Sequence, residues 1–157
     1  MKNKEDELEK FRAPVVKNIK PVGLNRIKTE YEIMISLYKQ PSQFKTLLRR
    51  ILNCSDVLVA EHGQELLEKL LNIMIGGCCE DKLFYKAVKK LSQNVEENTL
   101  RKTYRTYAMC MLQKWQCDYK FAFFVKNRFN GIFNNDSETL KRILKNKGVL
   151  GRLLNTP

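Results

Sequence analysis

Residues 55–77, SDVLVAEHGQELLEKLLNIMIGG, decide the fold of this chain. Their apolar side chains spread around most of a helical wheel, which is typical of a central helix that is buried on several sides. Ser55 is suited to cap the first turn, and the glycine pair at 76–77 is suited to end the helix. Gly63 is a point at which this helix can bend or divide. The strip left for solvent is acidic and consists of Glu61, Glu65 and Glu68.

Helical periodicity continues on both sides of this segment. Apolar residues recur at helical spacing in 24–40, 41–53, 80–93, from about residue 96 onward, and in 137–147, where Gly148 is the predicted C-cap. No stretch alternates apolar and polar residues as a strand would. We therefore expect an all-α single domain of about six helices in antiparallel helix-hairpin packing, either a bundle or a short HEAT-like stack. Residues 1–23 contain Pro14 and Pro21 and are predicted to be an extended tail or arm, followed by a helical domain over 24–157.

The stretch LRKTYRTYAMCMLQKWQCDYKFAFFVKNRFNG, residues 100–131, mixes basic and aromatic residues and raises the question whether its rings stack on bases. Up to Tyr119 the rings and the charges separate to opposite sides of a helical wheel, which favours rings in the core and cations in water. After Asp118, Phe121, Phe123 and Phe124 point in three directions, which favours a plug of aromatic rings in the core over a ligand site. A break is expected near Asp118, which is suited to cap a new helix. The predicted core stripe is Tyr104, Tyr107, Ala108, Met111, Leu112, Trp115 and Tyr119.

Several classes of protein are disfavoured by what the sequence lacks. No apolar run approaches the roughly 20 residues of a membrane span, and the charged N-terminus does not resemble a secretory signal. The five cysteines include no CxxC pair and the chain has a single histidine, His62, so we expect no metal and no cofactor. No catalytic motif is present, and we expect a protein that is not an enzyme. Free thiols in or near the core would place it in an intracellular, reducing compartment.

The remaining feature is charge, since the 157 residues carry a net charge of +12. The excess lies in 24–53 and in the C-terminal third, while 54–79 is negative. Such an excess is suited to phosphates if the basic groups share a face, and otherwise serves solubility. The predicted binding residues form four groups: Lys45 and Arg49; Lys82, Lys86 and Lys89; Lys102, Lys120 and Arg128; and Lys141, Arg142 and Lys145.

Two functional hypotheses follow from this pattern. In the first, the chain is a non-catalytic basic helical module that contacts the phosphate backbone of RNA or DNA within a larger nucleoprotein assembly. In the second, it is a protein–protein interaction adaptor or scaffold that docks an acidic or helical partner. An LxxLL string at residues 150–154 fits either a docking helix or a last turn packed on the core.

Overall fold

The structure, a computed structural model, describes residues 19–77, 81–115 and 119–154, and in these ranges it is helical without strands. None of the helices in these ranges is long and apolar enough to cross a bilayer. Two short 3₁₀ turns, Pro41–Gln43 and Asn134–Asp136, precede α2 and α7. The helices are α1 (Ile19–Tyr38), α2 (Phe44–Leu52), α3 (Asp56–Ile75), α4 (Lys82–Leu91), α5 (Glu97–Trp115), α6 (Lys120–Arg128), α7 (Ser137–Ile143) and α8 (Leu150–Leu153).

The predicted boundary between tail and domain differs from the observed start of α1. Helix α1 begins at Ile19, so residues 19–23 are helical rather than extended. Pro21 falls in the first turn, where a helix has no need of its missing amide hydrogen. The rest of the predicted tail, residues 1–18, lies outside the described residues.

The first six helices form three successive hairpins, α1–α2, α3–α4 and α5–α6, which pack in two layers. In the first layer α1 packs on α3 and α3 on α5; in the second layer α2 packs on α4. Helix α6 continues the second layer, because Phe121 and Phe124 lie 6.5 and 4.8 Å from the ring of Tyr85 on α4. This arrangement confirms the predicted all-α fold with helix-hairpin packing.

The helices of the second layer run parallel to one another. At one end the rings of Phe44 and Phe84 lie 6.5 Å apart, so the N-terminal ends of α2 and α4 are neighbours. At the other end Lys90 Nζ donates to the carbonyl oxygens of Leu52 and Cys54 at 2.9 and 2.8 Å. Parallel axes follow because each helix of this layer is the returning arm of a hairpin.

Helix α3 is the centre of the domain, since it packs on α1, α4 and α5. Its predicted caps are confirmed: Ser55 Oγ accepts from the amide of Leu58 at 3.2 Å, and Gly77 has a φ of 114° just beyond the C-terminus. Glu30 of α1 accepts from both the amide and the hydroxyl of Ser55 at 3.1 and 2.9 Å. The start of α3 is thereby tied to α1.

Gly63 allows α3 and α4 to pack at a short distance. Helix α3 continues through Gly63 without interruption. A Cβ atom built on Gly63 would lie 2.7 Å from the carbonyl oxygen of Leu91. Only glycine permits such an approach of two backbones. The alternative that Gly63 divides the helix is therefore wrong, and its role is close packing.

The aromatic stripe of α5 faces the core, as predicted. Tyr104, Ala108, Met111 and Leu112 are buried. Tyr107 and Tyr119 are half-buried and pack against the same cluster. The side chain of Trp115 and the predicted cap Asp118 lie outside the described residues, although α5 does end at 115 and α6 begins at 120.

The C-terminal segment closes the stack at the third hairpin. Arg105 of α5 forms two hydrogen bonds with the buried carboxylate of Asp136, one of them from Nε at 2.9 Å. Lys126 of α6 donates to the carbonyl of Arg152, whose guanidinium lies 5.0 Å from the ring of Phe123. These contacts join the last turns to α5 and α6.

The structure tests two sequence predictions in this segment, the end of α7 and the position of the LxxLL string. Helix α7 ends at Ile143 rather than continuing to Gly148, and Asn146, with a φ of 65°, takes the left-handed conformation instead of Gly148. The prediction of a C-cap at Gly148 is therefore wrong. The LxxLL string packs inward, since Leu153 and Leu154 are buried, and it is a last turn of the core.

The described cysteines are free thiols with different surroundings. Cys54 is buried, and burial raises the pKa of its thiol, whereas Cys110 is exposed. The prediction of thiols in or near the core therefore holds for Cys54 and is wrong for Cys110. Cys78, Cys79 and Cys117 lie outside the described residues.

Replacing Gly63 by alanine is expected to lower the free energy of unfolding by about 1–3 kcal/mol, because the new methyl group would force α3 and α4 apart. Gly151→Ala in α8 is the matched control, since a Cβ there meets no atom within 4 Å. The control should change stability by less than about 1 kcal/mol. Urea unfolding followed by circular dichroism measures both, and equal stability of the two variants would contradict the packing role of Gly63.

Candidate functional site

Helix α4 is amphipathic, with apolar residues on one side and basic residues on the other. Phe84, Ala87, Val88 and Leu91 are fully buried. Lys82, Lys86 and Lys89 are exposed. Within the part of the chain that the structure describes, none of these three lysines forms a salt bridge. Their charge is therefore available to a ligand.

Helix α2 repeats the pattern of α4 forty positions earlier. The buried or half-buried residues Phe44, Leu47, Leu48 and Ile51 correspond to Phe84, Ala87, Val88 and Leu91.

This correspondence fixes the direction of the basic side chains of α2. On α4 the positions equivalent to Lys45 and Arg49 are Tyr85 and Lys89, which face the next hairpin at Phe124 of α6. By the same geometry, we infer that Lys45 and Arg49 lie on the flank of α2 toward α4. Both are exposed. We therefore expect the first two predicted groups to share one surface.

We call this surface of the second layer the basic face. It is extended on α6 by Lys120 at the first residue of the helix and by Arg128 at the last, which are exposed. The residues of the basic face are Lys45, Arg49, Lys82, Lys86, Lys89, Lys120 and Arg128.

A cleft of about 540 Å³ opens where the basic face meets α5. It lies among the C-terminal end of α4, the N-terminal half of α5 and the C-terminal end of α6. Cationic, amide and aromatic groups therefore converge on one opening. The lining residues are Lys89, Ser92, Gln93, Leu100, Tyr104, Phe124, Asn127 and Arg128.

The floor of the cleft is a neutral aromatic surface. Tyr104 is buried, and its hydroxyl lies 2.6 Å from Ser92 Oγ, which also donates to the carbonyl of Val88 at 2.7 Å. Burial raises the pKa of the Tyr104 phenol, so the ring carries no charge at neutral pH. Phe124 is half-buried, 5.7 Å from the Tyr104 ring. Like Tyr107 and Tyr119, it packs against the core cluster, and part of it also lines the cleft.

The rim of the cleft is cationic. Lys89 Nζ lies 5.9 Å from the centroid of Phe124. The guanidinium of Arg128 lies 4.5 Å from the ring of Phe129 and donates to both carboxylate oxygens of Glu97, at 2.9 and 3.0 Å. These bonds lower the pKa of Glu97, which is therefore ionised at neutral pH. Arg101, 5.8 Å from the same Phe129 ring, adds a further cation beside Arg128.

Sequence reasoning missed the polar and aromatic part of this site. Gln93, Asn127 and Arg101 do not fall in a basic row, and the sequence favours a core position for Phe124. The available signal was the high density of aromatic residues in 121–129, where helical spacing directs the rings to several sides of the helix.

The other predicted binding residues belong to elements outside the second layer. Lys102 is exposed on α5, in the first layer, near Glu96, whose pKa is lowered mainly by hydrogen bonds from the amides of Asn98 and Thr99 and least by the charge of Lys102. The fourth group is exposed in the C-terminal segment, with Lys141 and Arg142 on α7 and Lys145 just beyond it, and Lys141 pairs with Glu138 at 3.2 Å. Among the described residues, no hydrogen bond, salt bridge or ring contact joins Lys141, Arg142 or Lys145 to α2, α4 or α6.

The first layer carries the acidic strip of α3. Glu61, Glu65 and Glu68 are exposed there. Glu65 accepts from the hydroxyl of Tyr31 at 2.5 Å and lies 3.5 Å from Nδ1 of His62, whose ring is 4.2 Å from that of Tyr31. His62 is thus part of a contact between α1 and α3. In the described ranges, no group of three or more His, Cys, Asp or Glu residues is arranged to hold a metal ion.

Comparison with known proteins gives no further guide to this site. No protein-family model matches the chain, and neither a curated protein nor a solved structure does. The function is therefore argued from the geometry and the charge of the site itself.

Lys90 is expected to stabilise the fold, whereas the exposed lysines of the same helix are not. Lys90→Met removes two hydrogen bonds to the end of α2 and is expected to cost about 1–3 kcal/mol of the free energy of unfolding. Lys86→Met, on the exposed side of the same helix, should stay within about 0.5 kcal/mol. Chemical denaturation tests both, and a loss of stability in Lys86→Met alone would contradict this assignment.

Proposed function

We propose that this domain is a non-catalytic module that binds the phosphate backbone of nucleic acid with its basic face. The observation that carries the proposal is that α2 packs on α4 and that both helices expose basic side chains, Lys45 and Arg49 on α2 and Lys82, Lys86 and Lys89 on α4. Cations that lack carboxylate partners can neutralise phosphates and release the counterions condensed on the strand.

The dimensions of the basic face support this function. Successive turns of a helix are about 5.4 Å apart, and packed helices are about 8–10 Å apart. The lysines and arginines therefore form a two-dimensional array that a strand can cross with several phosphates in contact. Contacts of this kind position a strand without reading its sequence, so we expect weak sequence selectivity.

The distribution of charge between the two layers supports one direction of approach. The exposed strip Glu61, Glu65 and Glu68 lies in the first layer and repels phosphates, while the second layer attracts them. A strand should therefore bind on the α2–α4–α6 side. The acidic strip remains free for basic partners in a larger nucleoprotein assembly.

The second candidate is an adaptor that docks a protein partner. An apolar recess of about 250 Å³ favours it, at the turn between α1 and α2 and the end of α3. Binding through this recess would respond little to salt, which separates the two candidates. Its lining is Leu37, Tyr38, Gln40, Pro41, Phe44, Leu47, Ile73 and Gly76.

An intracellular, reducing compartment is part of the proposal. Cys54 and Cys110 are free thiols, and Cys110 is exposed to solvent. Exposed free thiols persist where thiols are kept reduced. Nucleic acid is available in the same compartments.

Neutralising the basic face should weaken binding and its dependence on salt. For the triple variant Lys45→Gln, Lys82→Gln and Lys86→Gln, the slope of log K against log salt should fall by about one per lysine. Fluorescence anisotropy with a labelled DNA strand, between about 50 and 200 mM salt, measures the affinity and the slope.

The matched control removes equal charge from the first layer. It is the triple variant Lys28→Gln, Lys102→Gln and Lys114→Gln, whose side chains are exposed on α1 and α5. This variant should retain most of the affinity and the slope. Equal losses in both triple variants would show an effect of net charge alone and would overturn the basic face as the binding surface.

A further inference from the structure

We infer that the cleft at the end of the basic face receives the base of one unpaired nucleotide, while Lys89 and Arg128 hold an adjoining phosphate. The inference rests on the proposed function and deepens it, because it names single-stranded nucleic acid as the substrate. It also assigns a role to side chains that general phosphate binding does not need.

The cleft is continuous with the basic face. Lys89 is the third lysine of the exposed row on α4 and also lines the cleft. Arg128 lines it from α6, and its guanidinium is spread over the ring of Phe129 at 4.5 Å. A strand that follows the lysines of α4 therefore reaches two cations at the rim.

Phe124 supplies a ring on which a base can stack. Its ring packs against Tyr85 at 4.8 Å and Tyr104 at 5.7 Å, while part of it remains accessible in the cleft. These neighbours fix the orientation of the ring before any ligand binds. Stacking on a fixed aromatic ring is the general means by which proteins hold unpaired bases.

Two exposed amides line the same cleft as this ring. Gln93 and Asn127 line the cleft from the ends of α4 and α6, and each side-chain amide offers both a donor and an acceptor. A base edge likewise presents donors and acceptors once it is unpaired. Ser92 is less available, because its hydroxyl already contacts Tyr104 and Val88.

The size of the cleft is consistent with one nucleotide. Its volume of about 540 Å³ falls within the range of about 300–1,000 Å³ found for small-molecule sites. A duplex keeps its bases paired and stacked, and taking one out costs free energy. The cleft should therefore favour a single strand over a duplex, although the lysine rows bind both.

Glu97 competes with a phosphate for Arg128, because its carboxylate accepts from both terminal nitrogens of the guanidinium. Glu97→Gln should raise the affinity for a single strand several-fold by removing this competitor. Glu138→Gln is the matched control, since it adds the same charge and frees Lys141, which does not line the cleft. Anisotropy titrations of both variants test this, and an equal gain in both would contradict the role of Arg128.

The base is tested with three probes: a labelled DNA strand of about ten nucleotides, its duplex, and an abasic strand of the same length. The variants are Phe124→Leu, which keeps an apolar side chain in place, and the double variant Gln93→Ala with Asn127→Ala at exposed positions. We expect roughly tenfold weaker binding of the single strand by Phe124→Leu, a smaller loss by the double variant, and unchanged duplex binding. The wild-type domain should bind the abasic strand about as weakly as Phe124→Leu binds the normal strand.

The outcomes distinguish the two proposals. Equal affinity for the normal and the abasic strand, or no loss in the double variant and in Phe124→Leu, would overturn the base site and leave phosphate binding intact. Loss of duplex binding by Phe124→Leu together with a lowered melting temperature would show a damaged fold, and the double variant then decides alone. No binding of any probe by the wild-type domain would overturn the proposed function itself.

Discussion

The backbone approach of Gly63 to the carbonyl of Leu91 holds the middle hairpin together, and the rest of the structure depends on it. It brings α4 close enough to α3 for the whole apolar side of α4 to be buried. The lysines of α4 must then stand on the opposite side, in solvent. Since α2 and α6 pack on the flanks of α4, their basic residues are added to the same surface.

The stacking of hairpins also places acidic and basic residues in different layers. Each hairpin places one helix in the first layer and one in the second, so residues on alternate helices meet although they are distant in the sequence. Glu61, Glu65 and Glu68 are separated in this way from Lys82, Lys86 and Lys89, which follow only one helix later. A chain with a net charge of +12 thus acquires an acidic strip and a basic face on different sides of a small domain.

Much of the fold could be predicted from the sequence because its signals are local. Helical periodicity, the cap at Ser55 and the stop at 76–77 depend on neighbouring residues only, and the inward direction of Tyr104 follows from spacing. Which basic groups share a face could not be predicted, because it depends on the parallel alignment of α2 and α4. The roles of Gly63 and Lys90 likewise depend on distances between helices.

The pattern of buried positions in α2 recurs forty positions later in α4. It is hard to see in the sequence because the residue types at these positions differ. Leu47, Leu48 and Ile51 return as Ala87, Val88 and Leu91, so burial is repeated while side-chain size is not. Hairpins of about this length are the unit of HEAT-like stacks. The cleft has no such signal, because Gln93, Phe124 and Asn127 come from two hairpins and line one cleft only when these pack.

The parallel alignment of the second layer gives its surface a polarity along the helix axes. The macrodipoles of α2, α4 and α6 point the same way, with their partial positive ends at Phe44, Lys82 and Lys120 and their partial negative ends toward the cleft. The dipoles therefore add a small positive contribution to the electrostatic potential at the amino-terminal edge and a small negative one at the cleft. At the cleft the positive potential depends on the side chains Lys89 and Arg128 alone, so the two edges of the basic face attract anions by different means.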